Sequence, residues 1–364
     1  MNGSAHIHLI VLGTEPRTGR GGIATALEGF HRALDEIGVG YTFIPTHSAQ
    51  TSAGRWVPWL KSFARIRHAV AKAQAQGLSP VAYVHMGGGV VSTIRKSVIA
   101  LFLRMIGVPS IMQLHGPEVA TYLAQPLSSI AFRFCLLSAS EIAVLTPWWA
   151  DLLRNSGVRQ KLHVVPNVLP GYAETAAQSQ RPISAPKKQC TILTMSRMTP
   201  GKGFDTVLDA TTHLQQPIRL LFAGTGPMEN QLRQSASDLQ GGTQVEFLGW
   251  VSGDDKAKFF CDADIFCLPS QYDSFGVGYV EAMAFGLPVI ALKIGPIVDV
   301  VPANKCGILI KQNDVHGLAA AIDRLSTDQA LRKTMGENAK KWVLSQYSSE
   351  AVGQNLQKIF QGVA

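Results

Sequence analysis

Arg197 and Lys202 bracket a Pro-Gly turn in SRMTPGKGFDTVLDA, and Asp273 and Glu281 stand on either side of Ser274-Phe275-Gly276 farther along the chain. Two fixed cations would stabilise a diphosphate leaving group as it gains charge, more in the transition state than in the ground state. The N–H groups from Phe275 to Gly278 open a helix, where unpaired donors and the helix dipole favour a phosphate. A carboxylate beside a phosphate is repulsive unless it accepts hydrogen bonds from hydroxyls. Acid, backbone donors and acid together suggest a ligand made of sugar, diphosphate and ribose, which describes a nucleotide sugar. An ordinary crossover with solvated polar residues would leave the same pattern.

The elements around these residues read as a parallel sheet. Residues 263–291, ADIFCLPSQYDSFGVGYVEAMAFGLPVIA, predict a buried strand at 264–268, a polar loop, a helix at about 277–285 and a second buried strand at 288–291. Ligands of such sheets bind beyond the carboxyl ends of the strands. Gly224-Thr225-Gly226-Pro227 and Leu248-Gly249-Trp250-Val251 are turns at that same edge. Asp262-Ala263-Asp264 has the spacing of a metal-binding pair, but it falls at the amino end of its strand, so no metal site is expected there.

The first half repeats the architecture. A strand at 6–12 runs into a loop with Gly19, Gly21 and Gly22, which would let backbone approach a ligand, and a helix follows at 23–37. A helix beginning near Pro58 carries Trp56, Trp59, Leu60 and Phe63 on one side and Lys61, Arg65, His68 and Lys72 on the other. Such a helix can lie in a membrane interface or pack on the sheet. After a strand at 81–85 come three glycines, 87–89, and a helix bearing Thr93, Arg95 and Lys96 in its first turns. That loop reads either as a tight turn or as a seat for the phosphates of an acceptor, with Gly88, Thr93, Arg95, Lys96 and Glu118 as acceptor-binding residues. The strand at 110–114 delivers His115 to the carboxyl edge.

A chain of 364 residues suits two domains, placed at 1–170 and 190–347, with 171–189 as a polar linker. Five cysteines without a CxxC pair fit a reducing compartment. The start lacks the pattern of a signal peptide, and the apolar run 97–106 is short and holds Arg104, so a cytoplasmic protein, free or peripheral to the inner face of a membrane, is expected. The net charge of +8 arises wholly in residues 1–170, with 15 Lys plus Arg against 7 Asp plus Glu, since residues 171–364 hold 18 of each. Without a zinc finger, an RNP-type motif or a dense basic run, an anionic surface or acceptor is a better partner than nucleic acid.

With SRxxxxKG, GxGP, Leu-Gly-Trp-Val, the acid-Ser-Phe-Gly-x4-Glu loop, Pro166-Asn167 and His115-Gly116 in order, the chain resembles the family-four retaining glycosyltransferases of bacterial surface-polysaccharide and exopolysaccharide assembly. The resemblance implies the α/β GT-B fold, two Rossmann-like domains facing across a cleft, with the helix at 348–364 packed back on the first. Arg197 and Lys202 would bind the donor diphosphate, helped by Gly21, Gly22, Ser274, Phe275 and Gly276. Glu281 would hold the ribose, Val251 would lie near the base, Asp273 would orient the hexose, and His115 would hydrogen-bond the sugar near C6. His115, Asp273, Arg197 and Lys202 are thus the catalytic set. No metal or cofactor is implied. The reaction would move a hexose from a UDP- or GDP-linked donor to a polyprenyl-diphosphate-linked glycan at the inner face of the plasma membrane. The alternatives are a soluble transferase with a small acceptor and a non-catalytic scaffold that binds nucleotide sugars. One departure stands out: the first acid of the family's pair is usually glutamate, and Asp273 is one methylene shorter.

Overall fold

Runs such as Ile7–Thr14, IHLIVLGT, are apolar without alternation, as strands covered on both faces must be. Residues 6–15, 22–48, 52–179, 188–239 and 242–363 are described by a computed structural model. They divide into two units, one formed by residues 1–170 with 347–364 and the other by 171–346.

In the first unit the order is β1 (Ile7–Thr14), α1 (Gly22–Glu36), β2 (Tyr41–His47), α2 (Ser52–Ala75), β3 (Ser79–Met86), α3 (Val90–Met105), β4 (Ser110–Leu114), α4 (Glu118–Ala124), α5 (Pro126–Leu136), β5 (Glu141–Val144), α6 (Pro147–Asn155) and β6 (Leu162–Val164). The strands form one parallel sheet in the order β2-β1-β3-β4-β5-β6. Successive side chains of a strand point to opposite faces, so β1 feeds two cores. Leu9 and Val11 pack with Leu27, Phe30 and Leu34 of α1, while Ile10 and Leu12 pack with Ile66 and Val70 of α2 and Ile99 and Leu103 of α3.

The second unit runs α7 (Gly171–Gln178), β7 (Thr191–Met195), α8 (Phe204–Thr211), β8 (Arg219–Ala223), α9 (Glu229–Ser237), β9 (Gln244–Gly249), α10 (Asp254–Asp262), β10 (Ile265–Leu268), α11 (Val277–Ala284), β11 (Val289–Leu292), α12 (Ile297–Val300), β12 (Gly307–Ile310), α13 (Val315–Thr327) and α14 (Gln329–Tyr347). Its sheet, again parallel, has the order β12-β11-β10-β7-β8-β9. The last helix, α15 (Ser349–Gln361), belongs to the first unit. Ser348 caps it by accepting from the Ala351 N–H at 3.1 Å. Val352, Leu356 and Phe360 join the core of α1, and the Asn355 amide donates to the Val164 carbonyl at 2.8 Å.

Two elements differ from the sequence expectation. The helix expected near Pro58 starts at Ser52 and contains that proline. Proline has no N–H for the carbonyl four residues earlier; here the carbonyl of Gly54 accepts from the Ser48 N–H at 3.1 Å, so the helix runs through. The supposed linker begins with α7, an alanine-rich helix whose Ala173 and Ala177 are buried.

Leu356 is fully buried in the core shared with α1. Leu356→Ala should cost about 2–5 kcal/mol, read by chemical denaturation as an earlier unfolding midpoint of the first unit. An unchanged midpoint would show that α15 does not close that core.

Candidate functional site

In the second unit the chain builds β7, β8 and β9 outward, then returns to the other side of β7 for β10, β11 and β12. The reversal lies between β7 and β10, and ligands of open parallel sheets bind beyond the carboxyl ends at such a point. The loops that leave those ends are 196–203 and 269–276. They are laced together: Gln271 N–H donates to the Gly201 carbonyl at 2.8 Å, and Lys202 Nζ reaches the Tyr272 carbonyl at 2.8 Å and Asp273 Oδ1 at 2.9 Å. Asp273 Oδ2 is buried and has no hydrogen-bond partner among the described residues. The backbone flanking Arg197 is pinned by Ser196 N–H to Ala223 at 3.1 Å and by Met198 N–H to Thr225 at 3.0 Å. The Arg197 side chain is exposed.

Gly276 precedes α11 at φ 78°, a left-handed conformation that suits glycine. The next N–H groups, of Val277 and Gly278, lie in the first turn and have no intrahelical carbonyl to bond. Phe275 is buried and Ser274 half-buried. Glu281, on α11, is buried and accepts from the Tyr172 hydroxyl at 2.6 Å and from Lys256 Nζ at 2.7 Å. Burial, and then the Glu281 charge, push the Tyr172 hydroxyl far above its ordinary range. Val251 is half-buried just beyond β9. Of the rejected aspartates, Asp262 pairs with Arg219 at 2.7 Å and Asp264 accepts from the Thr191 N–H at 2.9 Å.

In the first unit the reversal lies between β1 and β3. Gly22 opens α1, whereas Gly19 and Gly21 lie outside the described residues. His115 is buried at the end of β4; its N–H donates to the Met86 carbonyl at 3.0 Å, and its Nε2 meets Nδ1 of His85 at 2.9 Å. Burial, and then the charge of Lys96, lower His115 to about 4. Burial, followed by its neighbours His115, Lys96 and His31, lowers His85 too. Near neutrality both rings are uncharged, and one nitrogen of the pair donates to the other.

The glycine loop after β3 differs from the expected phosphate seat. A Cβ on Gly116 would stand 2.1 Å from the Cα of Gly88, so the two loops meet backbone to backbone. The exposed Glu118 carboxylate lies against Gly88. Thr93 is buried and bonds the Gly89 carbonyl at 3.2 Å. Arg95 and Lys96 are buried as well and turn inward, Arg95 donating to the Thr46 carbonyl and Lys96 to the Thr46 hydroxyl. That hydroxyl passes on to the Gly13 carbonyl at 2.9 Å. Burial, and then Arg95, lower Lys96 to about 7. These cations therefore support the ends of β1 and β2 and do not present solvent-facing charge to a ligand.

Sequence reasoning missed Tyr172, Lys256 and His85. Tyr172 fell in the supposed linker, and Lys256 sits in a short polar helix with no distinguishing pattern. His85 did carry a signal, since it closes the strand read at 81–85, and β3 pairs with the strand that delivers His115.

Because the folded values of His85 and His115 lie below the ordinary 6.5, the folded state resists these protons, and stability is lost as pH falls from 6.5 towards about 4. The decline should approach about 1.4 kcal/mol per pH unit per histidine, read as urea midpoints across that window. His85→Phe should flatten it; an unaltered slope would remove the pair as its cause. Gly116→Ala should cost about 1–3 kcal/mol through overpacking, and a variant as stable as the parent would contradict the backbone contact.

The sequence profile described as glycosyl transferases group 1 matches residues 176–342. The lipopolysaccharide core biosynthesis glycosyltransferase LpsE of Rhizobium meliloti is 26% identical over 207 residues, 57% of this chain and 60% of its own length. The chain spans about half the length of the curated relatives it matches. Among solved structures, sucrose-phosphate synthase from Thermosynechococcus elongatus superposes with a TM-score of 0.75 at 19% identity, covering 98% of each chain. Anabaena HepE, solved in complex with UDP and glucose, gives a TM-score of 0.71 at 16% identity, over 98% of this chain and 100% of its own. Residues 176–342 thus match the group 1 glycosyltransferases, and both units share the GT-B fold of these structures.

Proposed function

We propose that this protein is a retaining hexosyltransferase that moves a hexose from a UDP- or GDP-linked donor to a polyprenyl-diphosphate-linked glycan, at the inner face of the plasma membrane, in assembly of a surface polysaccharide such as an exopolysaccharide. The observation that carries the reading is Asp273: Lys202 holds one carboxylate oxygen at 2.9 Å, and the other is buried without a partner among the described residues. A buried acceptor left open is costly unless a donor arrives, and a hexose hydroxyl is such a donor. The Lys202 ammonium, the Arg197 guanidinium and the first N–H groups of α11 supply positive charge for a diphosphate, and that charge matters most as the glycosidic bond breaks. Fixed cations in that role make a metal unnecessary. Glu281, clamped by Tyr172 and Lys256, keeps lone pairs for ribose hydroxyls. His115, neutral near pH 7, suits a hydrogen bond to the hexose and not delivery of a proton. The lipopolysaccharide relative and the neighbour solved with UDP and glucose support the polysaccharide and donor parts.

One observation favours a second reading. With Arg95 and Lys96 turned inward, the first turns of α3 offer the glycine loop no solvent-facing cation among the described residues, as would suit a small or uncharged acceptor.

A nucleotide that binds only the folded chain should raise its melting temperature by about 5 °C at saturating ligand. A panel of UDP, GDP, ADP and CMP, free and as sugars, identifies the donor, and indifference to all of them would reject the donor site. Lys202→Ala should lower turnover by about a hundredfold or more. Full turnover in that variant would end the catalytic role of Lys202, and unimpaired cellular function without turnover would favour the scaffold alternative.

A further inference from the structure

The outer face of α3 carries Val90, Val91, Ile94, Val98, Leu101 and Met105, and α5 carries Leu127, Ile130 and Phe134, with Leu137 just past its end. All ten are between 41% and 84% exposed. From Val91 onward they recur three and four residues apart, so each helix turns a continuous apolar stripe to solvent while an opposite stripe, including Ile99 and Leu103 of α3 and Phe132 and Leu136 of α5, is buried. The helices lie side by side, and Arg104 Nη1 of α3 donates to the Leu137 carbonyl at 3.1 Å. On the far flank of α3, the Trp59 indole of α2 donates to the Arg95 carbonyl at 3.0 Å, and Phe63 packs edge-on against Phe102 with centroids 5.1 Å apart. Beside that seam Trp56, Val57 and Leu60 are exposed too.

Among the described residues, the large exposed apolar side chains outside this face are Trp250, Tyr272 and Val298, all in the second unit. A contiguous apolar surface larger than about 400 Å² marks a site of interaction. The charges around it name the partner. None of the three helices contains Asp or Glu, and no acid occurs between Glu36 and Glu118. Lys61, Arg65, Arg67 and Lys72 of α2 and Arg104 of α3 are exposed, and the Arg67 guanidinium lies 5.8 Å from the Phe102 ring centroid. A second copy of the same face would set cation against cation with no acid to relieve it. An anionic lipid leaflet supplies acyl chains for the stripes and phosphates for the lysines and arginines. No described helix is long and apolar enough to cross a membrane, so this is contact with one leaflet.

We infer that α3 and α5, flanked by the amino-terminal half of α2, form a surface that inserts into one leaflet of an anionic membrane. The apolar faces settle among the upper acyl chains, and the basic residues of α2 and Arg104 remain at headgroup level. The inference deepens the membrane part of the proposed function, on which it rests only for its purpose. It also moves the seat from the tryptophan helix to α3 beside it and α5 beyond.

The test is co-sedimentation of the full chain with phosphatidylcholine vesicles, with and without phosphatidylglycerol. The wild type should sediment with the anionic vesicles. Ile94→Glu with Leu101→Glu on α3, and separately Phe134→Glu on α5, should each weaken partitioning by about tenfold or more, while Val298→Glu in the second unit should not. Folding and donor binding of each variant are read independently by the nucleotide-induced melting shift, so loss of vesicle binding with the shift retained isolates the membrane face from the transferase reading. Either variant binding vesicles as well as wild type would overturn the inference, as would wild type ignoring both vesicle types. So would a lipid-free dimer that the same substitutions dissociate, since it would assign the face to a second copy.

Discussion

Parallel pairing obliges every strand of a sheet to end at the same edge, and each unit of this protein inherits its chemistry from that constraint. In the second unit the loops after β7 and β10 are sequence neighbours of nothing in common, yet they leave adjacent strands and are tied through Lys202. In the first, the loops after β3 and β4 come close enough that glycine backbone touches glycine backbone, and His85 and His115 meet at the same level. Neither arrangement needs side chains to reach far. The sheet brings the loops together, and short polar contacts fix their details.

Much of this could be read from the residues. Fully buried strands are unbroken apolar runs, and glycine turns after them mark the carboxyl edge, so 263–291 fell into strand, loop, helix and strand at nearly the observed bounds. What escaped was decided by partners distant in sequence. The helix through Pro58 exists because Ser48 takes up a carbonyl that proline leaves open. Tyr172 and Lys256 gain meaning only through Glu281, 109 and 25 residues away. Arg95 and Lys96 sit in the first turns of a helix, where a sequence reading points them at a ligand, but Thr46 offers them buried acceptors instead.

The two units handle charge differently. The second contains its acids and bases in equal number and spends several in defined pairs, Lys202 with Asp273, Lys256 with Glu281 and Arg219 with Asp262. The first carries a long stretch without acids, and its buried basic groups His115, His85 and Lys96 all shift towards their neutral forms. Desolvation dominates each shift, which is the expected outcome where burial is not matched by a counter-ion.

The position of α15 carries a consequence for synthesis. Translation makes the amino-terminal strands and α1 first, but the helix that walls the core around Phe30 and Leu34 leaves the ribosome only after every element of the second unit. The second unit can therefore fold while the nascent first unit still exposes one apolar flank. The order of completion thus runs opposite to the order of the domains along the chain, and the first unit becomes whole only when the polypeptide has returned to it.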